Sequence, residues 1–268
     1  MSKKESVANQ NLSTLLRVFL IFALFFSLAP IGIAKEKPLF KVLTFTKTAA
    51  FYHDAIPQAA AAIRKLGDEN RFAVDVTNDS EAFIDSNLAK YDAVVFLLTT
   101  GDVLNDTQQA AFERYISAGH GYVGIHSASD TEHEWPWYGQ LVGAYFKNHP
   151  LDPQFQKAEI HVEDPSHPST SFLPKVWERT DEWYNFKSNP RDNAHVLLTL
   201  DESTYQGGEM GTDHPIAWCK PFSDGRSWYT GIGHTKESYS EPLVLQHILG
   251  GIQWAAGIKP GACEVTRK

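Results

Sequence analysis

The feature that most constrains this chain is a series of short, continuously apolar runs separated by segments of helical period. Lys41–Thr46 (KVLTFT), Phe72–Thr77 (FAVDVT), Tyr91–Leu98 (YDAVVFLL) and Gly121–His126 (GYVGIH) each predict a strand. Strands that are apolar on both sides need cover on both faces, and intervening helices supply it. The pattern therefore predicts an α/β fold with a mostly parallel sheet and helices on both faces. Between the first two runs, Ile56, Ala59, Ile63 and Leu66 share one face of a helix predicted from Asp54 to Leu66. Asn105, Asp106 and Thr107 supply capping side chains for a further helix that runs to Ala118 and stops at Gly119.

The second half is rich in loops, punctuated by Pro150, Pro153, Pro165, Pro168, Pro174 and Pro190. Strand-like runs lie between them at Lys157–Val162, Val176–Tyr184, His195–Leu200, Ile216–Cys219 and Arg226–Ile232. A closing helix is expected from Glu241 to Ala256, with Leu245, Ile248, Leu249 and Ile252 on one face. No repeat or low-complexity linker divides the chain, so residues 35–268 are expected to form one domain whose second half decorates the sheet.

The N-terminus carries a different signal. Lys3, Lys4 and Arg17 precede an apolar run from Val18 to Ile33, broken only by Ser27, Pro30 and Gly32, and Gly32 and Ala34 form a small-x-small pair. This arrangement predicts a cleavable signal peptide over residues 1–34 and a periplasmic or secreted mature protein, with no membrane segment once the signal is removed. Cleavage takes away three bases and one acid (Glu5), so the formal charge of −8 becomes −10. An acidic protein repels phosphate backbones, which argues against a nucleic-acid partner. Cys219 and Cys263 are the only cysteines. In an oxidising compartment they either pair or remain as two buried thiols, and neither has the neighbours of a nucleophile or a zinc ligand.

Ligands of an open parallel sheet bind outside the carboxyl ends of its strands. Lys47, Tyr52 and His53 follow the first strand, and Thr99, Thr100, Gly101 and Asp102 the third. His126, Ser127 and Asp130 follow the fourth, and a late strand runs into Gly231, Gly233 and His234. Three of these four strand ends carry a histidine. Gly231-Ile-Gly233 stands alone, and no Gly-x-Gly-x-x-Gly follows the first strand, so a nucleotide cofactor is not expected.

Four segments carry a family resemblance: KVLTFTKTAAFYHDAIP (41–57), GYVGIHSASD (121–130), DEWYNF (181–186), and HPIAW (214–218) followed by GRSWYTGIGHT (225–235). In this order they resemble the trehalose-utilisation (ThuA-like) family across nearly all of the mature chain. That family is similar to the class I glutamine-amidotransferase-like superfamily, which implies a flavodoxin-like sheet. The departure from the superfamily is chemical. Glutamine amidotransferases place a nucleophilic Cys in a Gly-x-Cys-x-Gly elbow; here His126 holds the Cys position and Ala128 that of the second Gly. Ammonia release through a thioester is therefore excluded. Ser127 lacks the glycines of a Gly-x-Ser-x-Gly elbow and is a poor nucleophile candidate.

The resemblance implies a small carbohydrate ligand, and the strand-end histidines are the candidates for chemistry on it. His126 and His234 are the candidate acid/base pair, with His53 beside them. Glu182 and Tyr184, in the DEWYNF segment, suit sugar recognition: a carboxylate accepts hydroxyl hydrogen bonds and a ring packs on C–H faces. Trp183 is assigned to packing, as is the Trp135, Trp137, Tyr138 cluster. Asp130 is the preferred acid of the loop after the elbow, with Glu132 and Glu134 read as solvated. His214 either reaches the same cleft or caps a turn, and His149 completes the candidates for substrate binding. The local spacing matches no zinc signature, so no cofactor is predicted, although a divalent metal on His126 with His53, His234 or Asp130 stays open. The resemblance implies sugar binding or transformation, of a trehalose-like glycoside or a keto-sugar. A non-catalytic carbohydrate-binding or scaffold protein is the alternative, and a metal-dependent hydrolase or lyase a third.

Overall fold

Every apolar run of the first half becomes a strand of one sheet. The computed structural model describes residues 37–265, so the signal peptide expected at residues 1–34 lies outside the described residues. The order is β1 (Phe40–Phe45), α1 (Ile56–Asn70), β2 (Phe72–Thr77), a short α2 (Asp85–Leu88), β3 (Ala93–Leu97), α3 (Asp106–Ser117) and β4 (Gly121–Ile125). Next come α4 (Pro136–Val142), β5 (Phe146–Asn148), β6 (Phe155–Val162), β7 (Val176–Glu182), β8 (Asn185–Phe186) and β9 (His195–Leu200). The chain ends with β10 (His214–Phe222), β11 (Gly225–Thr230) and α5 (Pro242–Ala255).

The main sheet runs β2-β1-β3-β4-β11-β10-β9-β6-β7. The first five strands in that order are parallel, and from β11 onward each neighbour is antiparallel. β3 and β4 are buried at every position, as strands covered on both faces must be. The two covers are visible at adjacent residues. A Cβ on Gly121 would come within 2.3 Å of the Ala255 carbonyl oxygen, so only glycine lets α5 approach this closely. Tyr122 points the other way, against Phe112 of α3 and Tyr138 of α4. The capping signal before α3 is realised as a capping box: Gln108 N donates to Asn105 Oδ1 and Asn105 N donates to Gln108 Oε1, each at 3.0 Å.

The second half does more than decorate. β6, β7, β9 and β10 widen the same sheet, and β5 and β8, for which the sequence offers no periodicity, pair in a small separate sheet. β10 is longer than the Ile216–Cys219 run because it contains Pro215 and Pro221, residues that normally end strands. Register shifts at Pro215/Ala217 and Ala217/Trp218 absorb the irregularity. Cys219 of β10 forms a disulfide with Cys263, beyond α5, with Cα atoms 5.5 Å apart. This settles the open choice between a bridge and two thiols. Among the described residues, no helix is long and apolar enough to cross a membrane.

The alternation of strand direction decides where a site can form. β7 runs parallel to β4 and β11, being separated from β11 by three antiparallel steps (β10, β9, β6) before a fourth restores the direction. The carboxyl ends of β1, β4, β11 and β7 therefore share one edge of the sheet.

Candidate active site

Four residues converge at that edge, each from a different strand end. His53 lies on the loop between β1 and α1, His126 directly after β4, Glu182 at the end of β7, and His234 four residues beyond β11. Glu182 is the hub. Its Oε2 lies 2.9 Å from His234 Nδ1 and 3.3 Å from His126 Nε2. Its Oε1 accepts from Gln154 Nε2 at 2.6 Å and lies 3.3 Å from His149 Nε2. His126 Nε2 and His234 Nδ1 are 3.2 Å apart. The ring of His53 packs edge-on against both, at 5.2 Å from His126 and 4.8 Å from His234.

The local backbone explains the convergence. His126 has φ +52°, in the left-handed region that non-glycine residues seldom occupy, so β4 ends in a sharp elbow that lifts the imidazole above the sheet edge. A single 3-10 turn, His126–Asp130, follows. Buried tyrosines clamp it: Tyr229 donates to the His126 carbonyl at 2.7 Å and Tyr138 to the Ala128 carbonyl at 2.7 Å. His234 is placed by its backbone. Asp181, wholly buried, accepts from Gly233 N at 2.8 Å and His234 N at 3.1 Å, and pairs with the buried Arg179 guanidinium. Gly233 has φ +123°, a conformation that favours glycine, so this tight turn explains the isolated Gly-x-Gly of the sequence without a nucleotide.

The electrostatics follow from burial against pairing. Burial opposes ionisation of Glu182, but hydrogen bonds from His126 and His234 outweigh it and hold the carboxyl well below the usual carboxylate range. Burial likewise opposes ionisation of Asp181, and Arg179 reverses it. His53 is pushed down to about 2 by burial first and then by the neighbouring His126 and His234, so it stays neutral.

The remaining expected residues are spread around this cluster. Tyr184 is buried with its ring 4.1 Å from that of His126, and burial together with the Glu182 charge keeps its hydroxyl protonated. His149 stands at the rim, its Nδ1 donating to the Pro150 carbonyl at 2.9 Å. His214 is fully buried and both its nitrogens are engaged, Nε2 with the Tyr184 carbonyl at 2.8 Å and Nδ1 with Glu202 at 2.8 Å. It supports Tyr184 from beneath and does not reach the cleft. Asp130 pairs with His133 at 2.8 Å on the outer loop, apart from the four-residue cluster. Ser127 is buried, its Oγ 3.4 Å from His53 Nδ1.

Glu132 corrects an expectation: it is not solvated. Its side chain is buried and accepts from Val103 N at 2.8 Å, Leu104 N at 2.7 Å and Gln109 Nε2 at 2.7 Å, tying the loop after β3 to the elbow loop. Glu134 is exposed as expected. Sequence reasoning missed Gln154, Asp181 and the two rings at the mouth of the site. Phe51 is 61% exposed with its ring 4.8 Å from that of His53. Phe155 is 46% exposed with its ring 5.1 Å from that of His234. Beside Phe155 and His234 opens a groove of about 690 Å³, lined also by Asp54, Thr180, Lys236 and Glu241 among others.

His53, His126, Glu182 and His234 each offer one donor atom, all within 4.8 Å of one another, and could hold a metal ion. Of two similar groups among the described residues, His167 with Cys219 and Cys263 is disqualified because those sulfurs are joined. Glu159, His161 and Asp201 form a more open surface cluster. Without an ion, the arrangement can hold a proton between two imidazoles and an ionised carboxylate.

Comparison with known proteins identifies the family and the fold. The family described as "ThuA: Trehalose utilisation" matches residues 41–255. A crystal structure of a ThuA-like protein from Bacteroides uniformis is 25% identical, with TM-score 0.68 over 82% of this chain and 92% of that one. A ThuA-like protein from Parabacteroides merdae is 20% identical, with TM-score 0.68 over 87% and 93%. Part of a Bacillus circulans β-galactosidase shares the fold alone, at 14% identity and TM-score 0.51, over 81% of this chain and 31% of that one. A comparison with curated proteins finds no match. The flavodoxin-like α/β fold is thus common to this chain and its ThuA-like neighbours.

Proposed function

Because this chain belongs to the ThuA family, whose description is trehalose utilisation, we propose that it is an exported protein that binds a small sugar at the sheet edge and transforms it there. The observation that carries this reading is the pairing of two chemistries in one place. Exposed rings of Phe51 and Phe155 pack beside His53 and His234, and the buried histidine–carboxylate cluster adjoins the groove through His234. Aromatic faces pack on sugar C–H surfaces while fixed polar groups take the hydroxyls, and the groove is within the size range of small-molecule sites. The acidic and basic lining of Asp54, Lys236 and Glu241 suits a neutral, hydroxyl-rich ligand.

The cluster has the parts for moving a proton at a sugar oxygen or the carbon that bears it. His234 stands at its solvent edge, Glu182 stays ionised and stabilises positive charge in the cluster, and His126 is held from behind. The elbow without cysteine leaves no route to amidotransfer. The Cys219–Cys263 bridge supports export, since disulfides persist in oxidising compartments, as does the apolar leader.

The test is a calorimetric and thermal-shift panel of mono- and disaccharides, and their keto forms, on the mature protein, followed by product analysis of each binder. A stabilising sugar whose affinity falls about tenfold in Phe155→Ala, and whose conversion is lost in Glu182→Gln, is expected. Binding without conversion at any pH would leave a carbohydrate-binding protein. No response to any sugar would defeat the reading.

A further inference from the structure

We infer that the cluster of His126, His234, Glu182 and His53 is a binding site for one divalent first-row transition-metal ion, which sits where a shared proton otherwise would. The inference rests on the sugar reading of the same groove and adds to it the ion on which sugar oxygens would bear.

The first ground is tautomer. His126 Nδ1 is 2.8 Å from the Gly231 carbonyl, an acceptor only, so Nδ1 must carry a hydrogen. In the neutral ring Nε2 then presents a lone pair, and it presents it to Glu182 Oε2 at 3.3 Å, which is also an acceptor. Two lone pairs facing one another in a buried site need a cation between them, either the proton of a His126–Glu182 hydrogen bond or a metal ion in its place. Metal-bound histidines show this same arrangement, with the far nitrogen donating to a backbone carbonyl or carboxylate.

The second ground is distance. Donors held at ~2.0–2.2 Å from one ion lie roughly 2.9–3.5 Å from each other in tetrahedral or octahedral geometry. The three separations are 3.3 Å (His126 Nε2 to Glu182 Oε2), 3.2 Å (His126 Nε2 to His234 Nδ1) and 2.9 Å (His234 Nδ1 to Glu182 Oε2). His53 offers a fourth donor within 4.8 Å of the others. A triangle of this size is the face of a coordination polyhedron.

The third ground is support. Glu182 has its other oxygen fixed by Gln154 and His149, and His234 has its backbone amide held by Asp181. His126 is set by the elbow and by Gly231. Three imidazoles and one carboxylate suit zinc, iron, nickel or copper better than magnesium or calcium, which take oxygen donors. The ligands come from four separate strand ends, which is why no short spacing signature marks them in the sequence.

The experiment uses the full mature protein. Metal content is measured by elemental analysis after purification without chelator or affinity-column metal. The chelator-stripped protein is then titrated with Zn²⁺ and with Co²⁺, and the Co²⁺ visible spectrum recorded. About one ion per chain and a ligand-field spectrum of nitrogen–oxygen coordination are expected. Binding in Glu182→Gln and His126→Ala should be weakened at least about 100-fold, beyond the 10- to 100-fold typical of supporting residues. Glu159→Gln, in the surface cluster, should bind like the wild type. Circular dichroism of the stripped proteins separates loss of the site from loss of fold, and Glu182→Gln keeps the shape of the side chain if His126→Ala unfolds. Less than about one ion in ten chains with no Co²⁺ spectrum overturns the inference, as does unchanged affinity in both variants. Sugar binding by the metal-free protein, with no uptake of metal, would refute the metal and keep the sugar; metal uptake with no sugar response would do the reverse.

Discussion

His126 Nδ1 lies 2.8 Å from the carbonyl oxygen of Gly231, across 105 residues of sequence, and this contact ties the elbow of β4 to the turn that leaves β11. It fixes the ring's tautomer and its direction together, so Nε2 is aimed at Glu182 by a main-chain contact. The elbow in turn depends on a backbone conformation most side chains avoid.

Replacing His126 by Asn should therefore keep the elbow, because Asn tolerates a positive φ, while Val should not. The left-handed region costs a non-glycine residue roughly 1–2 kcal/mol, and more for β-branched side chains. Urea denaturation should find His126→Val less stable than His126→Asn by at least about 1 kcal/mol. Equal midpoints for the two variants would contradict the account of the elbow.

The Arg179–Asp181 pair should behave as a buried ion pair that positions His234. Both side chains are buried, and Asp181 also accepts from the Gly233 and His234 amides. Asp181→Asn leaves the guanidinium short of its main partner and should cost about 3–5 kcal/mol. Glu241→Gln, which removes the partner of Arg179 whose side chain is 37% exposed, should cost less than about 1 kcal/mol. Comparable losses from the two changes would show that burial is not what distinguishes them.

Acid should destabilise the fold through His247 and His167, which lie away from the site. His247 is pushed down to about 4, first by burial, and His167 to about 3, also by burial. His247 donates to the Ser169 carbonyl, accepts from Thr230, and packs against Trp228 and Trp177, with Arg179 the charge that further opposes its protonation. Below about 6.5 the unfolded chain takes up protons that the folded chain refuses. Stability is thus complete above that pH and is lost as pH falls toward 4, by roughly 1–2 kcal/mol at pH 5 for His247. His247→Gln should flatten this part of the stability–pH curve; an unchanged slope would assign the acid sensitivity elsewhere.

The Cys219–Cys263 bridge closes a loop of 44 residues between β10 and the segment after α5. Constraint of the unfolded chain by a loop of that length contributes about 2–4 kcal/mol. Reduction, or the Cys219→Ala/Cys263→Ala double variant, should lower the denaturation midpoint accordingly. A variant as stable as the oxidised protein would make the bridge dispensable.

The parallel half was legible because its signals are local. The Tyr91–Leu98 run is apolar on both faces, Asn105, Asp106 and Thr107 offer capping side chains, and His126 and His53 follow strands whose carboxyl ends are where a ligand of an open parallel sheet binds. The antiparallel half was only partly so. Pro215 and Pro221 read as breaks yet lie inside β10, because irregular register near Pro215 and pairing of Pro221 near a turn accommodate them. Phe146–Asn148 and Asn185–Phe186 are too short for any period to appear. Glu132 looked solvated among Asp130 and Glu134, since nothing in its neighbours reveals that two amides of a distant loop point at it. Gln154 and Phe155 gave no motif because their role is set by the direction of β6, which only the assembled sheet defines.

The reversal of strand direction beyond β11 has a consequence for how the protein comes into being. Residues up to Asp130 carry His53 and His126 but no Glu182 or His234; residues from Gln154 onward carry the second pair and not the first. Neither segment alone holds a complementary set, and the cluster arises only when β4 and β11 zip together with β7 in the right sense. The cluster is therefore a product of completed assembly: a chain that lacks either half, whatever secondary structure it has gained, holds only two of its four members.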